Sequence, residues 1–226
     1  MLFSNSFELL LALKNLGYIK SERDKLWWPN SKTFEVVIGA ILTQNTKWEN
    51  VEKSLNNLRE RNLLEFEQFL KVDEKKLAEF IVPSGFYNQK AIRLKNLAKN
   101  IKNEFGSFDF FCENIDREWL LSQKGLGKES ADSILCYACL RDVFVVDSYT
   151  NRLLSAIGYE FEDYDDIQSW FMSGIEENFD DVCKIYDRDM SLNEVYARLH
   201  GKIVEYCKEN SKGRVVDVRK LKKGLM

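Results

Sequence analysis

Residues 120–149 read LLSQKGLGKESADSILCYACLRDVFVVDSY, and the fold of the whole chain follows from this stretch. Gly125-Leu126-Gly127 falls between a helix ending near Gln123 and one beginning near Lys128. Two glycines at that spacing permit a tight turn whose backbone N–H groups point outward. Those donors adjoin the positive end of the second helix, so the turn can hold a phosphate, and Lys128 adds a cation beside it. Leu126 is expected to point inward and lock the two helices together. An ordinary helix–helix connection uses glycine in the same way, so the turn alone leaves both readings open. Twenty residues after Gly127, Asp147 closes the apolar run Phe144-Val145-Val146 and opens a helix with Leu153, Leu154 and Ile157 inside. Aspartate is favoured as an N-cap because its carboxylate accepts a backbone N–H. A carboxylate held rigidly at a helix start also suits catalysis, and the roles are compatible because capping fixes the rotamer.

Helical periodicity continues outward from this segment. Phe34, Val37, Ile38, Ile41 and Leu42 form one apolar stripe of an amphipathic helix, and Leu94, Leu97, Ala98 and Ile101 form another. Ala131, Ile134, Leu135 and Ala138 repeat the pattern, as do Leu192, Val195, Tyr196 and Leu199. Further helices are marked by Val51, Leu55 and Leu58 and by Phe7, Leu10 and Leu11. The chain therefore reads as all-α, with about ten helices and one candidate strand at Val143–Val146. Only 2 prolines interrupt 226 residues, which favours long helices over a turn-rich β fold. With 45% hydrophobic residues the chain can build a sizeable core, and its length suits one to two domains. No apolar run is long enough to span a bilayer, and polar residues run through Met1–Leu13, so neither a membrane span nor a signal peptide is expected.

Side-chain chemistry is restricted by a single histidine, His200. Histidine-based triads and multi-histidine metal sites would all need that one residue, so catalysis is expected to rest on carboxylates or lysines. Five cysteines, an odd number (Cys112, Cys136, Cys139, Cys183, Cys207), fit a reducing, cytoplasmic setting better than a disulfide framework. The net charge of −3 hides an asymmetry: Glu160–Glu194 holds 12 acidic and 2 basic residues, leaving +7 for the remainder. A molecule polarised in this way can still bind a phosphate backbone on one face. The tail Ser211–Met226 has six basic residues and one acid, and a solvated, frayed terminus accounts for it as well as a phosphate-seeking one does.

Lys124-Gly125-Leu126-Gly127-Lys128-Glu129-Ser130-Ala131 followed by Val145-Val146-Asp147-Ser148-Tyr149 resembles the helix-hairpin-helix signature and downstream aspartate of the endonuclease III superfamily of DNA glycosylases. Gly39-Ala40-Ile41-Leu42-Thr43-Gln44-Asn45-Thr46 is similar to the family's first barrel helix and following turn, and Gly85-Phe86-Tyr87-Asn88-Gln89-Lys90-Ala91 to another family segment. The likeness covers roughly residues 30–205 in the expected order.

Two departures narrow the resemblance. Bifunctional members carry a lysine two residues after the second hairpin glycine, where it forms a Schiff base; here that residue is Glu129, which cannot. Many relatives also hold a [4Fe–4S] cluster through four C-terminal cysteines, but only Cys207 follows His200-Gly201-Lys202. No iron–sulfur cluster and no metal are expected; a buried ion pair or a modified Lys202 is expected to tie down that region instead. Both departures resemble the bacterial 3-methyladenine DNA glycosylases called type III. Trp27-Trp28-Pro29 and Trp48 agree, because the matching aromatics of that subgroup line the base pocket. An indole face attracts and stacks on an alkylated, positively charged purine. Tandem tryptophans before a helix also serve as packing between domains.

The resemblance implies two helical lobes flanking a DNA-binding cleft. One is contiguous, residues 31–138, with the hairpin motif at about 116–139; the other joins 1–30 to 139–226 and carries the catalytic Asp147. It implies a monomeric enzyme on damaged double-stranded DNA, associated with a bacterial nucleoid, gripping phosphates through Gly125, Leu126, Gly127, Lys128 and Ser130. Gln44 would fill the gap left by the flipped base, and Asp147 would stabilise an oxocarbenium-like sugar and position water. Lys208 corresponds to a lysine near the subgroup's pocket, although a surface lysine looks the same in sequence. Three rivals stand beside this reading. They are a superfamily enzyme for mismatched or oxidised bases, a non-catalytic helix-hairpin-helix module, and an all-α interaction protein.

Overall fold

The computed structural model describes residues 2–19 and 25–225. It divides into two units, one formed by residues 30–140 and one by residues 1–29 with 141–226.

The contiguous unit is organised on α2 (Phe34–Leu42), in which all nine residues are buried. Its only charge, Glu35, is met by Asn30 Nδ2 at 2.9 Å and Arg59 Nη2 at 2.8 Å, so the helix can be buried on every face. Around it lie α3 (Trp48–Arg59), α4 (Phe66–Lys71), α5 (Glu74–Phe80), a 3₁₀ turn at Val82–Ser84, α6 (Tyr87–Phe105), α7 (Phe108–Asn114), α8 (Arg117–Ser122) and α9 (Lys128–Ser133). After Ser133 the same rod continues as a π-helical turn, Ile134–Ala138, which packs with α9 on α2.

In the second unit α1 (Ser6–Asn15) packs on α11 (Tyr164–Glu176), α13 (Leu192–Asn210) and α14 (Arg219–Gly224). The unit also contains α10 (Ser148–Ile157) and α12 (Phe179–Tyr186). α13 is the buried spine, with α10 along it. Among the described residues no helix is long and apolar enough to cross a membrane.

Three expectations are corrected. Fourteen α-helices are present among the described residues rather than about ten, because several six-residue helices are too short to show a period. Val143–Val146 is extended but is not a strand. Phe144, Val145 and Val146 are all buried, and side chains bond the segment's backbone: Gln168 Nε2 donates to Phe144 O at 2.6 Å, and Val146 N donates to the Tyr164 hydroxyl at 3.2 Å. The basic tail is not frayed: Ser211–Lys212 pairs antiparallel with Val215–Val216, and α14 packs on α1. Val216 and Leu221 are buried, and Gly224 approaches α1 so closely that a Cβ there would lie 2.5 Å from Ala12 O.

Candidate functional site

Asp147 caps α10 with one carboxylate oxygen. Its Oδ1 accepts Thr150 N at 2.8 Å and Thr150 Oγ1 at 2.9 Å, which fixes the rotamer. The other oxygen, Oδ2, is turned toward His200 Nε2 at 3.5 Å, and the carboxylate side chain is only 14% exposed. Burial alone would raise its pKa, but the adjacent His200 and the two Thr150 donors outweigh that and hold it below the usual carboxylate range. The group is an anion at neutral pH, fixed on one oxygen by Thr150 and facing His200 with the other.

The histidine beside it stands in an aromatic setting. Trp27 meets His200 edge-on, with ring centroids 5.4 Å apart, and donates Nε1–H to Glu205 at 3.2 Å. Trp27 has φ +75, an unusual conformation for a bulky residue, and its ring lies directly on Gly201. A Cβ at Gly201 would sit 2.3 Å from Trp27 Cγ. Glycine at this point of α13 is therefore what admits the indole. Trp28 is buried and Pro29 half-buried in the same unit. Trp48, the half-buried first residue of α3, belongs to the other unit. Lys208 is exposed on α13 and makes no hydrogen bond or ion pair among the described residues.

Lys202, one turn-face away on α13, is buried and donates to the Tyr18 carbonyl. Burial, with Arg198 nearby, pushes its ammonium down to about 7. Elsewhere on this helix the buried carboxylate of Glu194 accepts from the exposed Arg188 and faces Lys25 at 3.3 Å. Cys207 and Cys183 do not gather with the other cysteines, and no group of three or more potential metal ligands occurs among the described residues.

The hairpin in the contiguous unit joins α8 to α9. Gly125 (φ +89) and Gly127 are exposed while Leu126 is buried between the helices. Arg117 of α8 grips the fully buried Asp132 of α9 through two hydrogen bonds, Nε–Oδ1 at 2.8 Å and Nη2–Oδ2 at 2.9 Å. That bidentate pair fixes the angle at which the turn is presented. Lys128 is half-buried, and Ser130 is buried against α2, with Oγ 3.4 Å from Ala40 O. Glu129 is exposed.

Gln44 follows α2 and is joined to this hairpin. Its Nε2 donates to Gly125 O at 2.9 Å and to Ser130 Oγ at 3.0 Å, and its Oε1 accepts Arg93 Nη1 at 2.9 Å. The turn beyond Gln44 is tied to the 3₁₀ segment by Thr46 Oγ1–Ser84 O at 2.6 Å. Lys90 is buried beneath the turn and donates to Leu42 O, Thr46 Oγ1 and Ser84 O at 2.7–2.8 Å. Burial, then the charge of Arg93, lowers its pKa to about 8. Phe86, next to this anchored turn, has φ +46 and is 70% exposed. Sequence reasoning missed His200 as a neighbour of Asp147, and also Lys90, Arg93 and Phe86. The last three lie in or just beyond the quoted segment 85–91, but the placement of Lys90 and Arg93 depends on contacts across 40 or more residues.

Residues 38–176 match the family described as HhH-GPD superfamily base excision DNA repair protein. A Methanocaldococcus jannaschii protein named as a DNA repair glycosylase is 44% identical over 213 residues, covering 91% of this chain and 90% of that protein. The crystal structure of H. pylori 3-methyladenine DNA glycosylase (MagIII) bound to 1,N6-ethenoadenine is 48% identical with a TM-score of 0.88, covering 92% of this chain and 99% of that one. A non-covalent endonuclease III–DNA complex is 16% identical with a TM-score of 0.66 and covers 98% of each chain, a likeness of fold alone.

Proposed function

The chain belongs to the HhH-GPD superfamily of base excision DNA repair proteins, and from that premise we propose that it is a monofunctional DNA glycosylase. It flips alkylated purines, 3-methyladenine foremost, out of duplex DNA and hydrolyses the N-glycosidic bond to leave an abasic site. The observation that carries this reading is the likeness, at 48% identity over nearly the whole chain, to an enzyme crystallised with an alkylated-type purine, 1,N6-ethenoadenine.

In this reading the hairpin 125–127, with Lys128 and Ser130, grips backbone phosphates. Gln44 offers amide donors and acceptors to the orphaned partner base, and the exposed Phe86 offers an apolar wedge. Trp27, Trp28 and Pro29, with Lys208, are the base-pocket residues of the discontinuous unit. Trp27 has the strongest structural support, since it stands against the histidine that meets Asp147. A purine alkylated at N3 already carries a positive charge and leaves with the bonding electron pair as a neutral base. The anionic Asp147 stabilises the cationic sugar as that bond breaks. Its Oδ2 then takes a proton from the water whose oxygen bonds to C1′.

Glu129 at the position of the Schiff-base lysine supports a reaction without strand cleavage. The enzyme works as a monomer in the cytoplasm and without an iron–sulfur cluster, and a modification of Lys202 is part of the reading, to be detected as a mass increment on its peptide. The deciding assay incubates the protein with methylated duplex DNA and identifies released bases by chromatography. Free 3-methyladenine with no borohydride-trapped covalent adduct is expected. Release of mismatched thymine or an oxidised base, with methylated purines untouched, would contradict it.

A further inference from the structure

One helix holds the Gln44 turn from two sides. α6 places Lys90 beneath the turn, where three oxygens consume its three donors, and Arg93, three residues on, at the Gln44 side chain. Arg93 also lies across the hairpin. A Cβ at Gly125 would fall 2.4 Å from Arg93 Nε and 2.6 Å from its Cδ, so a side chain there would displace the guanidinium, and the φ of +89 favours glycine in any case.

The guanidinium is underused where it stands. Of its five N–H bonds one serves Gln44, and among the described residues no carboxylate pairs with it. Arg117, the other half-buried arginine of this unit, does have a carboxylate: it holds Asp132 at 2.8 Å. A planar fork of donors lying on an exposed glycine turn matches the geometry of a phosphate oxygen pair. The acceptor it lacks is an anion presented at the hairpin.

We propose that Arg93 is a DNA-backbone contact and the positioning residue for Gln44. Its guanidinium takes a phosphate seated at the Gly125–Gly127 turn while keeping its hydrogen bond to Gln44 Oε1. Backbone capture and placement of the glutamine then become one event. A protein that has not met the backbone keeps Gln44 folded on Gly125 O and Ser130 Oγ. A phosphate at the turn takes guanidinium donors that Gln44 does not use, so Arg93 holds the phosphate and the glutamine together. The inference rests on the reading of the hairpin and Gln44 given under the proposed function.

The test is the salt dependence of binding to a duplex carrying a tetrahydrofuran abasic-site analogue with 2-aminopurine opposite it. Wild type, Arg93→Ala, Arg93→Lys and Arg93→Gln are compared, with circular dichroism as the fold control. Loss of one phosphate contact lowers the slope of log K against log salt by about 0.9. That drop is expected for Arg93→Ala and Arg93→Gln; the glutamine variant decides the matter if alanine impairs folding. Arg93→Lys should restore the slope but not the 2-aminopurine signal, because an ammonium neutralises the phosphate without the fork that also holds Gln44. A folded Arg93→Ala or Arg93→Gln protein with the wild-type slope overturns the proposal, as does a lysine variant that restores both readouts. Wild type that does not bind the duplex at all overturns the underlying reading of the hairpin instead.

Discussion

α2 and α13 are the buried spines of the two units, and they are made of opposite materials. α2 is FEVVIGAIL, apolar except for Glu35, which Asn30 and Arg59 satisfy at the surface end. Thirteen of the nineteen residues of α13 are buried, and they include Asn193, Glu194, His200 and Lys202. Burying apolar surface contributes about 25 cal/mol per Å², whereas a buried polar group costs free energy unless it is bonded. α13 meets that cost residue by residue. Asn193 donates to Arg141 O and Asp142 Oδ1, Glu194 takes Arg188, Lys202 takes Tyr18 O, and His200 faces Asp147. One spine is a scaffold that any well-packed apolar set could supply. The other carries polar groups that packing does not need, and one of them, His200, faces Asp147.

If that contrast is right, substitutions in the two spines fail in different ways. Ile38→Ala in α2, at a fully buried position, should cost about 2–5 kcal/mol in chemical denaturation. Base release by the remaining folded fraction should be unchanged per folded molecule. Gly201→Ala in α13 should do the reverse. Its new Cβ would overlap Trp27 Cγ at 2.3 Å, forcing the indole away from His200 and, in the proposed mechanism, slowing base release about 10- to 100-fold, or ~1.4–2.7 kcal/mol. Single-turnover excision together with tryptophan fluorescence reads both effects. Equal losses of stability and no kinetic effect would erase the distinction.

The smallest effect concerns Lys202. In its unmodified form the folded pKa of about 7 lies below the ordinary 10.5, so between those values the unfolded chain binds more protons. Its contribution to stability therefore rises with pH through that window, by at most about 1.4 kcal/mol per pH unit. Lys202→Met should remove the rise, seen as a flatter difference curve of unfolding free energy between pH 7 and 9. A curve parallel to wild type would mean that the ammonium is not buried as described.

The parts of this architecture legible in the sequence are those whose physics is local. Gly125 and Gly127 announce a turn because of their backbone freedom, Asp147 announces a helix start because of its capping chemistry, and the stripe of 34–42 is one period of one helix. The parts not legible depend on distant partners. Val143–Val146 has a strand's β-branched and aromatic composition, but Gln168 and Tyr164 take its hydrogen bonds in place of a neighbouring strand. The tail looked frayed because its buried anchors, Val216 and Leu221, are too few and too irregularly spaced in a basic run to show a period. His200 was useful only as an exclusion, since 53 residues separate it from the carboxylate it faces. Arg93 gave no signal at all, because its partners Gln44 and Gly125 lie far off in the chain on either side.

The central claim is that the anionic Asp147 performs the hydrolysis, and single-turnover excision from methylated duplex DNA by wild type and Asp147→Asn tests it most directly. Asparagine keeps the cap and the shape but not the charge. Release of 3-methyladenine should fall about 10²- to 10⁴-fold while the variant still binds abasic-site DNA. Near-wild-type release by Asp147→Asn would contradict the account.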